Sequence, residues 1–206
     1  GMRSGIGFDW DISKNDILTG SVSYNKFGNQ TSGITNQEEF IKNLSDSLLY
    51  DNFTIRNSEN KSRYSSFDWS LDYKRKFKKE GQELEILYNA NHGSPYANYT
   101  QTQAYLEQPN PYMGQTSVNP GNDNETEISI DYTHPVSSEF LIETGVKSVF
   151  QRLHSIADVS IYVPSDDQFV YDPMQSYDSK YSMNVYAGYL SANFKVFNFL
   201  EIKSGV

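Results

Sequence analysis

The chain has 206 residues, 37% of them hydrophobic, with 17 Lys and Arg against 26 Asp and Glu and a formal net charge of -9. No stretch approaches the roughly 20 consecutive apolar residues that a membrane-spanning helix needs, and the acidic balance argues against a nucleic-acid partner. Cysteine is absent, which excludes disulfides and Cys-based metal sites, and 15% aromatic residues is a high share for so polar a chain.

Residues 4–13 place Ile6, Phe8, Trp10 and Ile12 on one parity and Gly5, Gly7, Asp9 and Asp11 on the other. Period two predicts a strand with one apolar face, because successive side chains of a strand point to opposite sides. A second strand is expected over 16–27, with Leu18, Val22 and Tyr24 opposed to Ser21, Ser23 and Asn25. The third, over 63–77, alternates Phe67, Trp69, Leu71 and Tyr73 with Asp68, Ser70, Asp72 and Lys74. Aspartates spaced in this way cannot lie in a dry core without partners, but they suit a wet channel wall.

The fourth strand is expected over 83–92 (Leu84, Ile86, Tyr88, Ala90) and the fifth over 124–134 (Ile128, Ile130, Tyr132). The sixth is expected over 139–152 (Phe140, Ile142, Thr144, Val146, Phe150). In the seventh, over 179–196, Met183, Val185, Ala187 and Tyr189 share one parity, and Leu190, Ala192, Phe194 and Val196 share the other. That phase switch predicts a bulge, or a part that leaves the membrane. An eighth strand begins near 199, with Leu200, Ile202 and Val206 on one face.

The connections alternate in length. Short ones fall near Ser13–Asp16, Lys78–Gln82, Pro135–Ser138 and Phe197-Asn198, and long ones over 28–62, 92–123 and 152–178. The pattern predicts an all-β, antiparallel up-and-down meander or barrel of about eight strands, with tight turns at one rim and long loops at the other. This is the layout of a transmembrane β-barrel, whose aromatic residues would form interfacial girdles. The whole of 1–206 reads as a single barrel domain or a segment of a larger barrel. A short helix is expected at 36–49 in the first long loop: Asn36 caps it, Glu39 follows three residues on, and Phe40, Ile41, Leu44, Leu48 and Leu49 fall near one helical face.

Catalytic signatures are absent. His92, His134 and His154 have no metal-ligand spacing, and there is no nucleophile elbow, phosphate loop or dinucleotide fingerprint. The expectation is a non-enzyme with no cofactor and no metal. Aromatic residues cluster in the long connections: Tyr96, Tyr99, Tyr105, Tyr112, Tyr162, Phe169, Tyr171 and Tyr177. Tyr96, Tyr99, Tyr105, Tyr112, Tyr162 and Tyr171 are the candidate ligand-binding residues, since exposed aromatics beside amides grip sugars, peptides or chelates. Packing of the loops onto one another is the competing reading.

Four stretches carry a family resemblance: Gly5-Ile6-Gly7-Phe8-Asp9-Trp10, Ser21-Val22-Ser23-Tyr24-Asn25, Phe140-Leu141-Ile142-Glu143-Thr144-Gly145-Val146-Lys147 and Glu201-Ile202-Lys203-Ser204-Gly205-Val206. They resemble the outer-membrane β-barrel of TonB-dependent receptors of the Bacteroidota type. The Glu-Thr-Gly-Val-Lys stretch, after a tight turn following Tyr132-Thr133-His134-Pro135, is the most specific of them. The resemblance implies a bacterial outer-membrane location with lipid as a partner, and a large plugged barrel of about two dozen strands. It also implies uptake of a nutrient of unnamed class, energised by an inner-membrane complex through parts outside this chain. About eight strands and no plug lead to the expectation of a slice of a longer barrel. Two other readings compete. One is a soluble, lipocalin-like barrel binding a small apolar ligand, and the other is a cell-surface adhesion module. A soluble barrel would turn its apolar parity inward, and a membrane barrel would turn it outward.

Overall fold

The computed structural model describes residues 1–108, 110–196 and 200–206. The chain forms nine antiparallel strands: β1 (Met2–Asp11), β2 (Asp16–Lys42), β3 (Leu48–Lys76), β4 (Glu83–Tyr105), β5 (Pro111–Pro135), β6 (Phe140–Val163), β7 (Gln168–Tyr171), β8 (Tyr177–Val196) and β9 (Leu200–Gly205). They make one sheet in the order β1-β2-β3-β4-β5-β6-β8-β9, with β7 paired to the far end of β6. The expected meander is present, but the sheet is open, with β1 and β9 at its two edges. Nine strands replace the expected eight because β7 forms inside the 152–178 connection.

The tight turns fall where Asn, Asp, Gly and Pro place them. In the first, Ser13 and Asp16 exchange backbone hydrogen bonds of 3.2 and 3.4 Å, and the Ser13 hydroxyl donates to Asp16 at 2.6 Å. In the second, Phe77 N–H donates to Gln82 O at 2.9 Å, and Gly81 takes the left-handed conformation, φ 75°, that a residue without Cβ tolerates best. In the third, Val136 N–H donates to Phe140 O at 2.8 Å. The expected Phe197-Asn198 turn and the side chain of Leu200 lie outside the described residues.

Strand pairing turns the alternation into two faces. Running across the sheet, Trp10, Leu18, Tyr73, Ile86, Ile130, Val146 and Gly188 are successive partners, as are Phe8, Gly20, Leu71, Tyr88, Ile128, Ser148 and Tyr186. The intervening rows hold Asp9, Thr19, Asp72, Leu87, Ser129, Lys147 and Ala187. Cross-strand partners lie on the same side, so one face is apolar and the other polar.

In the central strands the apolar face is the barer one: Phe67 is 48% exposed, Leu71 43% and Ile130 40%, whereas Asp68, Ser70, Asp72 and Ser129 are half-buried. The polar face is knitted together. Asp68 accepts from Asn25 at 2.5 Å and Ser66 at 3.2 Å, and also from Asn91. Lys147 pairs with Glu127 at 2.7 Å, and Tyr189 donates to Asp131 at 2.8 Å. Gly145 lies beneath that last pair, where a Cβ would come within 2.5 Å of the Tyr189 ring. Among the described residues the buried hydrophobics are Ala157 and Val159, so there is no apolar core of the kind a soluble ligand-binding barrel folds around.

Three expectations are corrected. The long connections are mostly strand: β2 and β3 stay paired without a break from Gly28↔Arg63 to Ile41↔Tyr50, and β4 and β5 pair out to Ala104↔Pro111. Where both faces meet water, nothing selects alternation, so the period-two signal fades while the backbone ladder continues. The helix expected at 36–49 is absent. Residues through Lys42 belong to β2, a turn follows, and β3 begins at Leu48. Asn43 builds that turn by accepting from the N–H groups of Ser45 and Ser47, both at 2.9 Å, and Asp46 takes φ 61°. As strand, the segment satisfies its backbone donors and acceptors across the hairpin out to Ile41↔Tyr50. Finally, β8 has no bulge, because it holds one register against β6 from Phe140↔Phe194 to Ala157↔Tyr177. Its early apolar residues Met183, Val185 and Ala187 are simply on the polar face, opposite Gln151, Val149 and Lys147.

Candidate functional site: the polar face of the outer hairpins

About 9–11 tilted residues of a strand cross a bilayer. β3 has 29 residues and β2 has 27, so both run far past that band on the side away from the tight turns. Register carries the face assignment outward with them. The polar parity of β3 continues through Ser58, Arg56 and Thr54, and that of β4 through Tyr99, Gln101, Gln103 and Tyr105.

Here the wall is ordered by amides and hydroxyls. Gln103 and Thr54 are buried, each 6% exposed, and the Gln103 amide donates to the Thr54 hydroxyl at 3.0 Å. Arg56 Nη2 donates to the Gln103 oxygen at 3.3 Å. Tyr105 and Tyr112 stack with ring centroids 4.5 Å apart, and the β-bulge between Gln103 and Ala104 brings Tyr112 against its partner. Burial, with Tyr105 alongside, raises the Tyr112 phenol above its ordinary value, and Arg56 pulls it the other way. Tyr112 is therefore a neutral hydrogen-bond donor at neutral pH. Tyr99 donates to Gln101 one row further in.

The six tyrosines singled out in the sequence divide between the two faces. Tyr99 and Tyr105 share the polar parity, and Tyr112 joins them through its stack. Tyr96, Tyr162 and Tyr171 have the opposite parity. Tyr96 receives the Arg63 guanidinium at 4.6 Å from its ring centroid, and Tyr162 packs edge-on to Phe169 at 5.4 Å, its hydroxyl bonded to Asp167 at 2.5 Å. Tyr96 and Tyr162 thus contact side chains of neighbouring strands or of the adjoining turn, whereas Tyr171, opposite Ser160, is 55% exposed. Arg56, Thr54 and Gln103 were not among the candidates. The signal was available in their parity: Gln103 and Tyr105 are odd-numbered like Glu83, Glu85 and Asn89, whereas Tyr96 is even like Leu84 and Ile86.

The histidines stand apart, His134 beside Tyr132 at 3.1 Å and His154 beside Asp178 at 2.7 Å. No group of three or more His, Asp or Glu suited to a metal is found among the described residues.

The family model described as outer membrane protein beta-barrel family matches residues 75–206, which contain all of β4 to β9. The chain belongs to that family. Its exposed apolar face therefore faces outer-membrane lipid, and the protein is a bacterial outer-membrane protein of antiparallel β-structure. No curated protein matches the chain. Among solved structures it is similar to the ferric yersiniabactin uptake receptor FyuA of Yersinia pestis, at 10% identity and a TM-score of 0.31, covering 98% of this chain. The chain spans 44% of that receptor's length.

Proposed function

We propose that this outer-membrane protein is a wall segment of a TonB-dependent receptor barrel that takes up a nutrient, with ligand gripped by the polar face of the outer hairpins. The observation that carries the reading is the face inversion. Apolar side chains such as Phe67, Leu71 and Ile130 are exposed on one side, while the polar side holds separate hydrogen-bonded clusters around Asp68 and Glu143. That arrangement suits lipid outside and water inside.

Open edges support a larger barrel. In a bilayer every backbone donor and acceptor needs a partner, so the outer edges of β1 and β9 would pair with further strands. The hairpins reach well beyond the membrane and present Tyr, Gln, Thr and Arg together, a mixture of stacking and hydrogen-bonding groups suited to a polar ligand. The four stretches that resemble Bacteroidota-type receptors favour energised uptake through an inner-membrane complex over passive flow.

Growth on a panel of singly limiting nutrients tests this, comparing cells with and without the gene, each with and without a protonophore. The reading expects one nutrient whose accumulation needs both the gene and the proton gradient. Accumulation that needs the gene and persists after the gradient collapses would replace the receptor by a passive pore.

A further inference from the structure

Arg56 is the cation of the outer hairpins that the polar face leaves without a counter-charge. Among the described residues no carboxylate lies within 4.0 Å of its guanidinium. Its protein hydrogen bond runs from Nη2 to Gln103. Nε is closed off without an acceptor, whereas Nη1 has no protein partner and is not sealed off in that way. Among the described residues, the guanidinium therefore has Nε closed off, one N–H of Nη2 bonded to Gln103, and Nη1 and the second N–H of Nη2 left for a ligand. Glu39 is near enough to raise the Tyr112 phenol, but it makes no ion pair with Arg56.

The side chain is also held in place. Thr54 and Gln103, both buried, form a hydrogen-bonded chain that ends on Nη2, so little rotamer freedom remains to be lost when a ligand binds. Next to it stand the stacked rings of Tyr105 and Tyr112, the former 36% exposed. A fixed planar fork beside an aromatic platform matches a particular chemistry: two oxygens of an oxyanion on the fork, and a flat ring against the tyrosines. The second arginine of these hairpins, Arg63, is on the opposite parity and lies over the Tyr96 ring, so Arg56 is the arginine that the polar face offers.

We propose that Arg56, Gln103, Thr54 and the Tyr105–Tyr112 pair form a subsite for a ligand that carries an oxyanion, carboxylate or phosphate, on a flat ring. The proposal rests on the reading that ligand meets the polar face of the outer hairpins, and it names the class of group recognised there. The positive charge of Arg56 locally offsets the acidity of a chain whose net charge of -9 otherwise repels anions. A lone cation held at the mouth of such a wall selects for the anionic end of its ligand.

The test is equilibrium dialysis of the purified protein in detergent micelles with labelled benzoate, phenyl phosphate and neutral benzamide. Benzoate or phenyl phosphate should bind about tenfold or more tightly than benzamide, and the stronger of the two identifies the oxyanion. Arg56→Gln should lose that preference, Arg56→Lys should retain part of it, and Tyr112→Leu should weaken all three probes together. Arg63→Gln, on the other face, should leave every value unchanged. Circular dichroism of each variant confirms that the sheet is intact, and Arg56→Lys and Tyr112→Leu keep the test open if Arg56→Gln does not fold. Equal binding of benzoate and benzamide, or equal losses in the Arg56 and Arg63 variants, would overturn the subsite. Uptake that still needs the gene and the proton gradient would then leave the receptor reading standing without it.

Discussion

The lower and outer parts of the same strands use one backbone ladder in two different media. Near the tight turns, β3 alternates Phe67, Trp69, Leu71 and Tyr73 with Asp68, Ser70 and Asp72. Beyond them the same strand reads Ser58, Asn60 and Ser62 on one parity and Asn57, Glu59 and Lys61 on the other, so both faces are polar. Pairing with β2 and β4 runs through both regions in a single register. The hydrogen-bonded ladder therefore sets the shape, and side-chain chemistry decides which stretch lies in lipid and which in water. The lower region should punish a misplaced charge, and the outer region should accept it.

The sharpest way to break that comparison is to put the same charge in both places. Ile130→Arg, on the apolar face opposite Ile86 and Val146, should destabilise the membrane-embedded protein by about 2–4 kcal/mol. Asn57→Arg, on the corresponding parity of the outer hairpin, should change stability by no more than about 0.5 kcal/mol. Urea unfolding in lipid vesicles reads both. Similar losses at the two sites would mean that the outer hairpins are also in contact with lipid.

A smaller effect tests how the outer hairpins end. Asn43→Ala removes the side-chain acceptor of two backbone N–H groups in the β2–β3 turn and should cost about 1 kcal/mol locally. Hydrogen exchange should then rise in residues 38–53 and stay constant in residues 67–73. An equal rise in both would show that the outer hairpin is not an independent opening unit.

The smallest expected effect is a pH response confined to the outer region. Asp172 is held below the usual carboxylate range by the Gln175 amide, which donates at 2.7 Å, and by the Met174 N–H at 2.8 Å. A carboxyl depressed in this way contributes stability that is present above its unfolded value and lost as pH falls through the folded one. Acidification into that range should loosen the Asp172–Ser176 turn, which also caps Val159 through Ser176 at 2.9 Å. Asp172→Asn should abolish the response, and amide exchange at Val159 followed against pH would reveal it. A response that persists in the Asn variant would point to another carboxyl.

The alternation of Phe67 to Lys74, the Asp and Gly turns and the apolar parity of Ile128, Ile130 and Tyr132 determined by themselves that the chain is an antiparallel meander with one apolar face. Period two and turn chemistry are local properties, and a lipid-facing strand expresses both. The sign of that face was beyond local reading, because an apolar row reads the same whether it faces a core or a bilayer. The exposed Phe67, Leu71 and Ile130 in an open sheet, together with the family match, decided it. The tertiary structure alone also decided the fate of residues 28–62. The polar residues of 57–62 carry no period-two signal and the apolar residues of 36–49 suggest a helical one, and only pairing between residues up to dozens of positions apart made both stretches strand. That same long-range register separated Tyr99 and Tyr105 from Tyr96 and brought Arg56 to Gln103, a meeting of residues 47 positions apart that no local pattern encodes.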